Sequence, residues 1–233
     1  MNERKLKLIE YIVVEVTPLQ QNASLIFESS TGKGAVVDPG GDIPKILDII
    51  TDRKLIIEKI LLTHGHVDHA GGASKLRDSL KRNGSLEIPI EGPHIADEPL
   101  LNSLSEIGPA YGLTEARSIR PDRWLTDGSK VEIGSIPFKV LHCPGHSPGS
   151  VVFYCREEKF AVTGDVIFAG SIGRTDLPFS DPRALAASIK NKVLTLPDDV
   201  LFLPGHGKLS SIGEEKVSNF LVHLITKKSY KRK

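Results

Sequence analysis

The stretch Thr63-His64-Gly65-His66-Val67-Asp68-His69 places four potential metal ligands within six consecutive positions. It directly follows an apolar segment, Lys59 to Thr63, whose pattern predicts a β-strand. In a turn after a strand, such closely spaced side chains can converge, whereas a regular strand would divide them between its two faces. Imidazole nitrogens and a carboxylate suit zinc, iron or manganese. The stretch therefore predicts a metal centre at a strand end, the alternative being an exposed histidine-rich turn without function.

Three more side chains of the ligand type lie in similar surroundings further along the chain. His146, Asp165 and His206 each follow a predicted strand and have glycine beside them, which lets the backbone turn sharply and aim the side chain. Together with the first stretch they complete a set of seven candidate metal ligands: His64, His66, Asp68, His69, His146, Asp165 and His206. Three other histidines lack this setting and are interpreted as structural: His94, His142 and His223.

The rest of the chain alternates short apolar runs with helical patterns. The predicted strands are Glu10 to Val16, Ala23 to Phe27, Ala35 to Asp38, Lys59 to Thr63, Lys130 to Ile133, Phe138 to His142, Val151 to Cys155, Phe160 to Thr163 and Val200 to Leu203. The predicted helices are Ile43 to Asp52, Ala73 to Lys81, Pro182 to Asn191 and Gly213 to Leu224, with short helices near Ala96 to Leu104 and Thr114 to Arg117. Two halves of similar order predict two sheets packed face to face with helices outside.

Periodicity weakens between Glu91 and Pro121, so this segment is predicted to be a flap on a single domain that spans residues 1–233. The 30 Lys and Arg nearly cancel the 29 Asp and Glu, which favours a small-molecule substrate over nucleic acid or a membrane. Two cysteines and a charged start, unlike a signal peptide, predict a cytoplasmic protein. The basic run from Lys227 to Lys233 is either an electrostatic tether or a solvated tail.

The motif set resembles the metallo-β-lactamase superfamily over nearly the whole chain, from Asp38-Pro39-Gly40-Gly41 to Pro204-Gly205-His206-Gly207. Within that superfamily the chain is most similar to short, single-domain hydroxyacylglutathione-hydrolase-like (glyoxalase II-like) proteins. The resemblance implies an α/β fold, the αββα four-layer sandwich with two mixed sheets, and a metal site in a shallow groove at one edge.

The resemblance also implies how the ligands are shared between two divalent ions, zinc in first place with iron or manganese as alternatives. His64, His66 and His146 would hold one ion, Asp68, His69 and His206 the other, and Asp165 would bridge them. Asp68 and Asp165 are accordingly the candidate catalytic carboxylates. Asp38 either supports the ligands from behind or is only a turn-forming aspartate.

A net positive dinuclear centre predicts attack of a metal-bridging hydroxide on a carbonyl. A thiolate can leave without protonation, so a site made only of metals and ligands fits a thioester. A lactoylglutathione-like substrate is what the resemblance implies. Arg174 is the candidate for a substrate carboxylate, the alternative being an ion pair with Asp176, and Tyr111 of the flap is the second candidate substrate-binding residue. Full-length glyoxalase II proteins carry a C-terminal helical domain beyond this point, which leaves glutathione recognition open.

The main rival is a persulfide dioxygenase of the same superfamily, which would hold a single iron with His64, His146 and Asp165. The Pro204-Gly205-His206-Gly207 loop favours the hydrolase instead. A β-lactamase, an RNA phosphodiesterase and a protein that merely stores metal are less favoured. A nucleophilic role for Cys143 beside the ligand loop is also weighed, against simple packing.

Overall fold

Two six-stranded sheets lie face to face in the computed structural model, which describes residues 2–5, 8–82 and 88–227. The first sheet contains β1 (Asn2–Lys5), β2 (Ile9–Val16), β3 (Gln21–Glu28), β4 (Lys33–Val37), β5 (Ile56–Leu61) and β6 (Ile90–Glu91) in sequential order. The second contains β7 (Lys130–Ile133), β8 (Ile136–His142), β9 (Val151–Cys155), β10 (Phe160–Gly164), β13 (Leu201–Pro204) and β14 (Ser210–Ser211), in the order β14-β13-β10-β9-β8-β7. A separate hairpin pairs β11 (Ile167–Phe168) with β12 (Ser171–Ile172). Both large sheets mix parallel and antiparallel pairs.

Helices cover the outer face of each sheet. The first sheet carries α1 (Ile43–Asp52), α2 (Val67–Ala70), α3 (Ala73–Arg82), α4 (Glu98–Asn102) and α5 (Leu104–Ile107). The second carries α6 (Pro182–Asn191), α7 (Ile212–Ser218) and α8 (Phe220–Lys227). Helix α6 has the predicted bounds, and it begins at Pro182 because Asp181 accepts hydrogen bonds from the backbone N–H groups of Arg183 and Ala184. No helix among the described residues has the length and apolar character needed to span a membrane.

Strand β9 shows why the sheets read as continuous apolar runs. All five of its residues are buried. Val151, Phe153 and Cys155 face the core between the sheets, whereas Val152 and Tyr154 face the helical layer. Because side chains alternate along a strand, both faces of this sheet must be covered. The αββα four-layer sandwich expected from the sequence is confirmed.

One edge of the sandwich collects the ends of five strands. Strands β4 and β5 are parallel. In the second sheet, β8 and β10 share a direction because both are antiparallel to β9, and β13 shares it because it is parallel to β10. An isolated bridge between Gln21 and His206 joins the two sheets at this edge. The loops after these five strands therefore meet, and they carry Asp38 and the seven candidate ligands.

Two predicted helices are wrong. Thr114 to Arg117 forms a turn, because an isolated four-residue segment gains too few hydrogen bonds to offset helix nucleation. Gly213 to Leu224 is divided into α7 and α8, because Asn219 Oδ1 accepts hydrogen bonds from the backbone N–H groups of Leu221 and Val222 and starts a second helix. Of the predicted basic tail, only Lys227 lies on a described element, and residues 228–233 lie outside the described residues.

Candidate metal centre

The histidine-rich stretch is a short loop after β5 followed by a helix start, rather than a turn alone. His64 follows β5, and α2 begins directly after His66, so that Asp68 and His69 lie in the first helical turn. This helix is absent from the sequence prediction, because its four residues are too few to show periodicity. Its effect is to turn two ligands back toward the strand end. All seven candidate ligands lie in one cluster.

The ligand atoms fall into two groups. Two sets of three residues, His64 with His66 and His146, and Asp68 with His69 and His206, each bring donor atoms within 4.8 Å of one another. His66 Nδ1 lies 3.0 Å from His146 Nε2, and Asp68 Oδ2 lies 3.2 Å from His206 Nε2. Two ligands on a tetrahedral ion with bonds near 2 Å stand roughly 3.3 Å apart. The spacing in each group is therefore that of a coordination shell.

Asp165 lies between the two groups. Its Oδ1 atom is 3.3 Å from His69 Nε2, while its Oδ2 atom is 3.4 Å from His146 Nε2 and 3.6 Å from His206 Nε2. The carboxylate thus faces a histidine of the first group and two of the second. Gly205 makes this approach possible, because a Cβ there would lie 2.1 Å from Asp165 Oδ1.

Four imidazoles are held by hydrogen bonds that leave one ring nitrogen free. In each ring Nδ1 lies beside an oxygen outside the cluster: Thr63 Oγ1 for His64 (3.0 Å), Asp38 Oδ2 for His69 (2.9 Å), the Arg174 carbonyl for His146 (2.9 Å) and the Leu19 carbonyl for His206 (3.1 Å). A carbonyl or carboxylate oxygen can only accept, and the Thr63 hydroxyl gives its proton to Asp38, so Nδ1 carries the proton in each ring and Nε2 presents a lone pair. This is how ligating imidazoles are usually oriented.

Asp38 holds the ligand stretch from behind. Its carboxylate accepts the backbone N–H of Thr63 at 2.7 Å, the Thr63 hydroxyl and the Nδ1–H of His69. Its φ of 51° lies in the left-handed region, which aspartate tolerates better than most residues. Asp38 is therefore both a turn former and the hydrogen-bond partner of a ligand, so the two sequence interpretations describe one residue.

Charges in the cluster are arranged for a cation. Burial lowers the pKa of His66 to about 3, and lowers that of His64 well below its ordinary value, so both rings stay neutral. Burial opposes a charge on His69 as well, yet the carboxylates of Asp165 and Asp68 raise the pKa of this ring well above its ordinary value. The two carboxylates thus attract positive charge to this position, and a proton on His69 would supply that charge where a metal cation could.

Three buried polar atoms support occupation by metal. His64 Nε2, His69 Nε2 and Asp165 Oδ1 have no hydrogen-bond partner among the described residues, although buried polar atoms nearly always have one. All three point into the cluster from its two groups and its centre. The donor set, imidazole nitrogen and carboxylate oxygen, suits zinc, iron and manganese. The residues present therefore fit divalent metal ions.

Asp97 is a residue that the sequence prediction missed. It is fully buried and accepts hydrogen bonds from the backbone N–H groups of Gly65 and Gly149 and from the Ser147 hydroxyl. Gly65 separates two ligands, and Ser147 directly follows His146. Asp97 thereby ties the first ligand stretch to the loop of the second sheet. Its only signal in the sequence was an acidic residue in a segment without clear periodicity.

The other sequence candidates lie around the cluster. Arg174 and Tyr111 line a cavity of about 560 Å³ whose floor includes five candidate ligands. The Arg174 side chain is exposed and forms a two-point ion pair with Asp176, with Nε–Oδ1 2.7 Å and Nη2–Oδ2 2.8 Å. Cys143 is buried, and burial raises the pKa of its thiol to about 12, which does not suit a nucleophile.

Three histidines lie outside the cluster, as their sequence settings indicated. His94 and His142 stack on each other with ring centroids 4.0 Å apart. His142 Nε2 also bonds the Pro148 carbonyl, and His223 Nε2 bonds the Lys216 carbonyl.

The segment from Glu91 to Pro121, predicted to be a flap, contributes residues both to the core and to the cavity. Buried Leu101 and Leu104 join the core, while other residues of the segment line the cavity.

Comparison with known proteins gives one consistent result. A sequence model of the metallo-beta-lactamase superfamily matches residues 16–206. The hydroxyacylglutathione hydrolase GloC of Haemophilus influenzae is 39% identical over 89% of this chain and 95% of its own length.

Solved structures agree in fold and in sequence. The crystal structure of BLEG-1 B3 metallo-beta-lactamase superposes with a TM-score of 0.81 and is 34% identical, covering 91% of this chain and 99% of that one. The crystal structure of TTHA1623 in a di-iron-bound form has a TM-score of 0.78 and is 38% identical, covering 90% of this chain and 99% of that one.

Proposed function

We propose, from the premise that the chain belongs to the metallo-beta-lactamase superfamily, that it is a dinuclear hydrolase of small thioesters. Membership and the 39% identity to a hydrolase together support a metallo-hydrolase that uses divalent metal. Its similarity to the hydroxyacylglutathione hydrolase GloC supports the thioester as the substrate class. A lactoylglutathione-like compound is the first substrate to test.

The observation that carries the proposal is the position of Asp165. One oxygen faces His69 and the other faces His146 and His206, and this position supports a carboxylate that would bridge two ions. The first ion would have the ligands His64, His66 and His146, and the second Asp68, His69 and His206. Zinc is proposed first, with iron and manganese as alternatives, and a similar protein is known in a di-iron-bound form.

Two divalent ions at these positions would polarise the substrate carbonyl and lower the pKa of a bound water to about 7. The residues of the chain then have defined tasks. Asp68 and Asp165 orient the attacking water and keep the centre's net charge low. The Nδ1 hydrogen bonds fix four imidazoles and remove the need for reorganisation during the reaction. A thiolate, with a thiol pKa of about 8.5, departs without a proton from the chain.

Arg174 and Tyr111 are proposed to bind the substrate outside the cluster. The ion pair with Asp176 uses Nε and Nη2 of Arg174, which leaves further N–H groups of the guanidinium for a carboxylate. Tyr111 lines the same cavity with its side chain 45% exposed. The two sequence alternatives for Arg174 are compatible, because Asp176 can hold the guanidinium in place for an anionic substrate group.

The test is metal content together with activity. Protein reconstituted separately with zinc, iron and manganese is assayed for metal per chain and for free thiol released from a thioester panel that includes lactoylglutathione. We expect two ions per chain and thioester hydrolysis.

Each rival predicts a different result. A persulfide dioxygenase, the alternative that uses only His64, His146 and Asp165, would hold one iron and consume oxygen with a persulfide. A β-lactam is included because a similar protein is a B3 metallo-beta-lactamase. Absence of thioester hydrolysis with every metal would contradict the proposal.

A further inference from the structure

The cavity above the metal centre has mainly apolar walls. Its volume is about 560 Å³, within the range of roughly 300–1,000 Å³ that small-molecule sites occupy. We call six of its apolar wall residues the acyl groove: Leu19, Leu100, Ile107, Phe168, Leu177 and Phe179. These residues come from a loop of the first sheet, from α4 and α5, and from the segment after Asp165, so they surround the cluster on several sides.

Positive charge is scarce in this groove. Arg174 is the one lysine or arginine among the described residues that line the cavity, and it is already paired with Asp176 at two points. One anchoring point for an anionic group is therefore available beside a long apolar surface. The charges and the walls fit a substrate with one anionic end and a large apolar part.

Phe179 is the least expected residue of the groove. Its φ of 66° is a left-handed conformation that a bulky aromatic residue rarely adopts. Its side chain is 64% exposed, so burial in the core does not compensate for the strained backbone. Strain of this kind tends to persist at functional sites, and Phe179 lines the same cavity as five of the candidate metal ligands.

We propose that the acyl groove binds an apolar acyl chain, so that the preferred substrates are thioesters with acyl groups larger and more apolar than lactoyl, and that Phe179 determines this specificity. The proposal rests on the proposed hydrolase function. In the reaction, a water oxygen bonds to the acyl carbon as the carbon–sulfur bond breaks. The products are the carboxylate, the thiol and one proton released to solvent.

The first experiment varies the acyl chain on a constant thiol. Glutathione thioesters of acetate, butyrate, hexanoate and octanoate are compared with lactoylglutathione. Burial of one methylene in the groove is expected to raise kcat/KM roughly twofold to fourfold, with octanoyl the best substrate and lactoyl well below it. Equal kcat/KM across the series in a protein that does hydrolyse lactoylglutathione would overturn the inference and leave the proposed function intact.

Phe179→Gly isolates the ring. Glycine adopts the left-handed conformation without strain, so the variant should fold at least as well as the parent. We expect its preference for octanoyl over acetyl to fall at least threefold, because kcat/KM for the octanoyl thioester falls more than kcat/KM for the acetyl thioester. Phe220→Ala is the matched control, because that ring is 72% exposed and does not line the cavity. An unchanged preference in Phe179→Gly would remove Phe179 from the specificity role.

A binding measurement keeps the groove testable apart from catalysis. S-butyl, S-hexyl and S-octyl glutathione thioethers have no carbonyl to hydrolyse, and their Kd is measured by calorimetry. We expect Kd to decrease with chain length and the decrease to be smaller in Phe179→Gly. This result without thioester hydrolysis would uphold the groove and contradict the proposed reaction, whereas a Kd independent of chain length would contradict the groove.

Discussion

The metal cluster and the acyl groove are neighbours, yet they are built differently. In the cluster, His64 and His69 are fully buried, and four rings are each fixed by a hydrogen bond from Nδ1. Phe179 of the groove and the neighbouring cavity residue Arg174 are largely exposed and belong to one loop. The candidate metal ligands thus follow strand ends that the core holds in place, whereas the proposed specificity residues lie on a loop. Substitutions should therefore have large effects in the cluster and modest, substrate-dependent effects in the groove.

Asp165→Asn should have the largest effect. The substitution removes the charge of the carboxylate that faces both groups of ligands, so we expect loss of at least one ion per chain and a fall in kcat/KM of about 10³-fold. Metal analysis and thiol release measure the two quantities. Asp199→Asn, which alters a surface carboxylate, is the control. Two retained ions with undiminished activity would show that Asp165 does not bridge.

Asp38→Asn should be the next in size. The amide cannot accept all three hydrogen bonds that the carboxylate receives from Thr63 and His69, so the His69 ring would lose its fixed orientation. We expect metal affinity to fall roughly 10- to 100-fold, as measured by competition with a chelator. Thr63→Ser retains the hydroxyl and should bind metal nearly as tightly as the parent protein. Equal affinity in Asp38→Asn would reduce Asp38 to a turn former.

Asp97 tests the link between the two sheets, because stability and function should respond to it in opposite ways. Burial raises the pKa of Asp97 to about 6, although hydrogen bonds from Ser147, Gly149 and Gly65 act against this. A folded-state pKa above the unfolded value of about 3.9 means that the proton stabilises the folded protein. This contribution is full below pH 4 and is lost as the pH rises through 6.

In metal-free protein, Asp97→Asn should therefore gain stability relative to the parent by roughly 1 kcal/mol between pH 5 and pH 7.5. Denaturant unfolding at both pH values measures this difference. In metal-loaded protein, the amide should weaken metal binding about tenfold, because its N–H₂ group faces a donor. A pH-independent stability difference would contradict the stated pKa of Asp97.

The cluster was largely predictable from the sequence, and support from Asp38 was one of two interpretations offered for that residue, but the support from Asp97 was not predicted. Histidine and aspartate are recognisable as metal ligands by residue type, and their positions after predicted strands, next to glycine, indicated where the site lies, as for His206 beside Gly205. Asp97 could not be found in this way, because its partners are backbone groups distant in sequence and its segment lacks periodicity. The groove could not be predicted for a different reason. The sequence pattern does not distinguish a leucine or phenylalanine of the core from one in a cavity wall, and the left-handed φ of Phe179 is visible only in the structure.

Arg174→Ala should have the smallest effect. It separates two roles of one residue, because the main chain of Arg174 contacts the cluster and its side chain lines the cavity. The main-chain carbonyl of Arg174 accepts the Nδ1–H of His146 and so orients a ligand of the cluster. The guanidinium of Arg174 is part of the cavity lining beside the groove. Alanine retains the carbonyl and removes the guanidinium, so kcat and metal content should be unchanged. KM for an anionic thioester should rise roughly threefold to tenfold, because an exposed charge-assisted contact contributes modestly.

Arg174→Lys keeps the charge without the planar fork, so its KM should lie between that of the parent and that of Arg174→Ala. A neutral thioester is the control substrate, and its KM should not change. A fall in kcat or in bound metal would mean that side chain and carbonyl act together, and that the cluster and the groove are coupled through this loop.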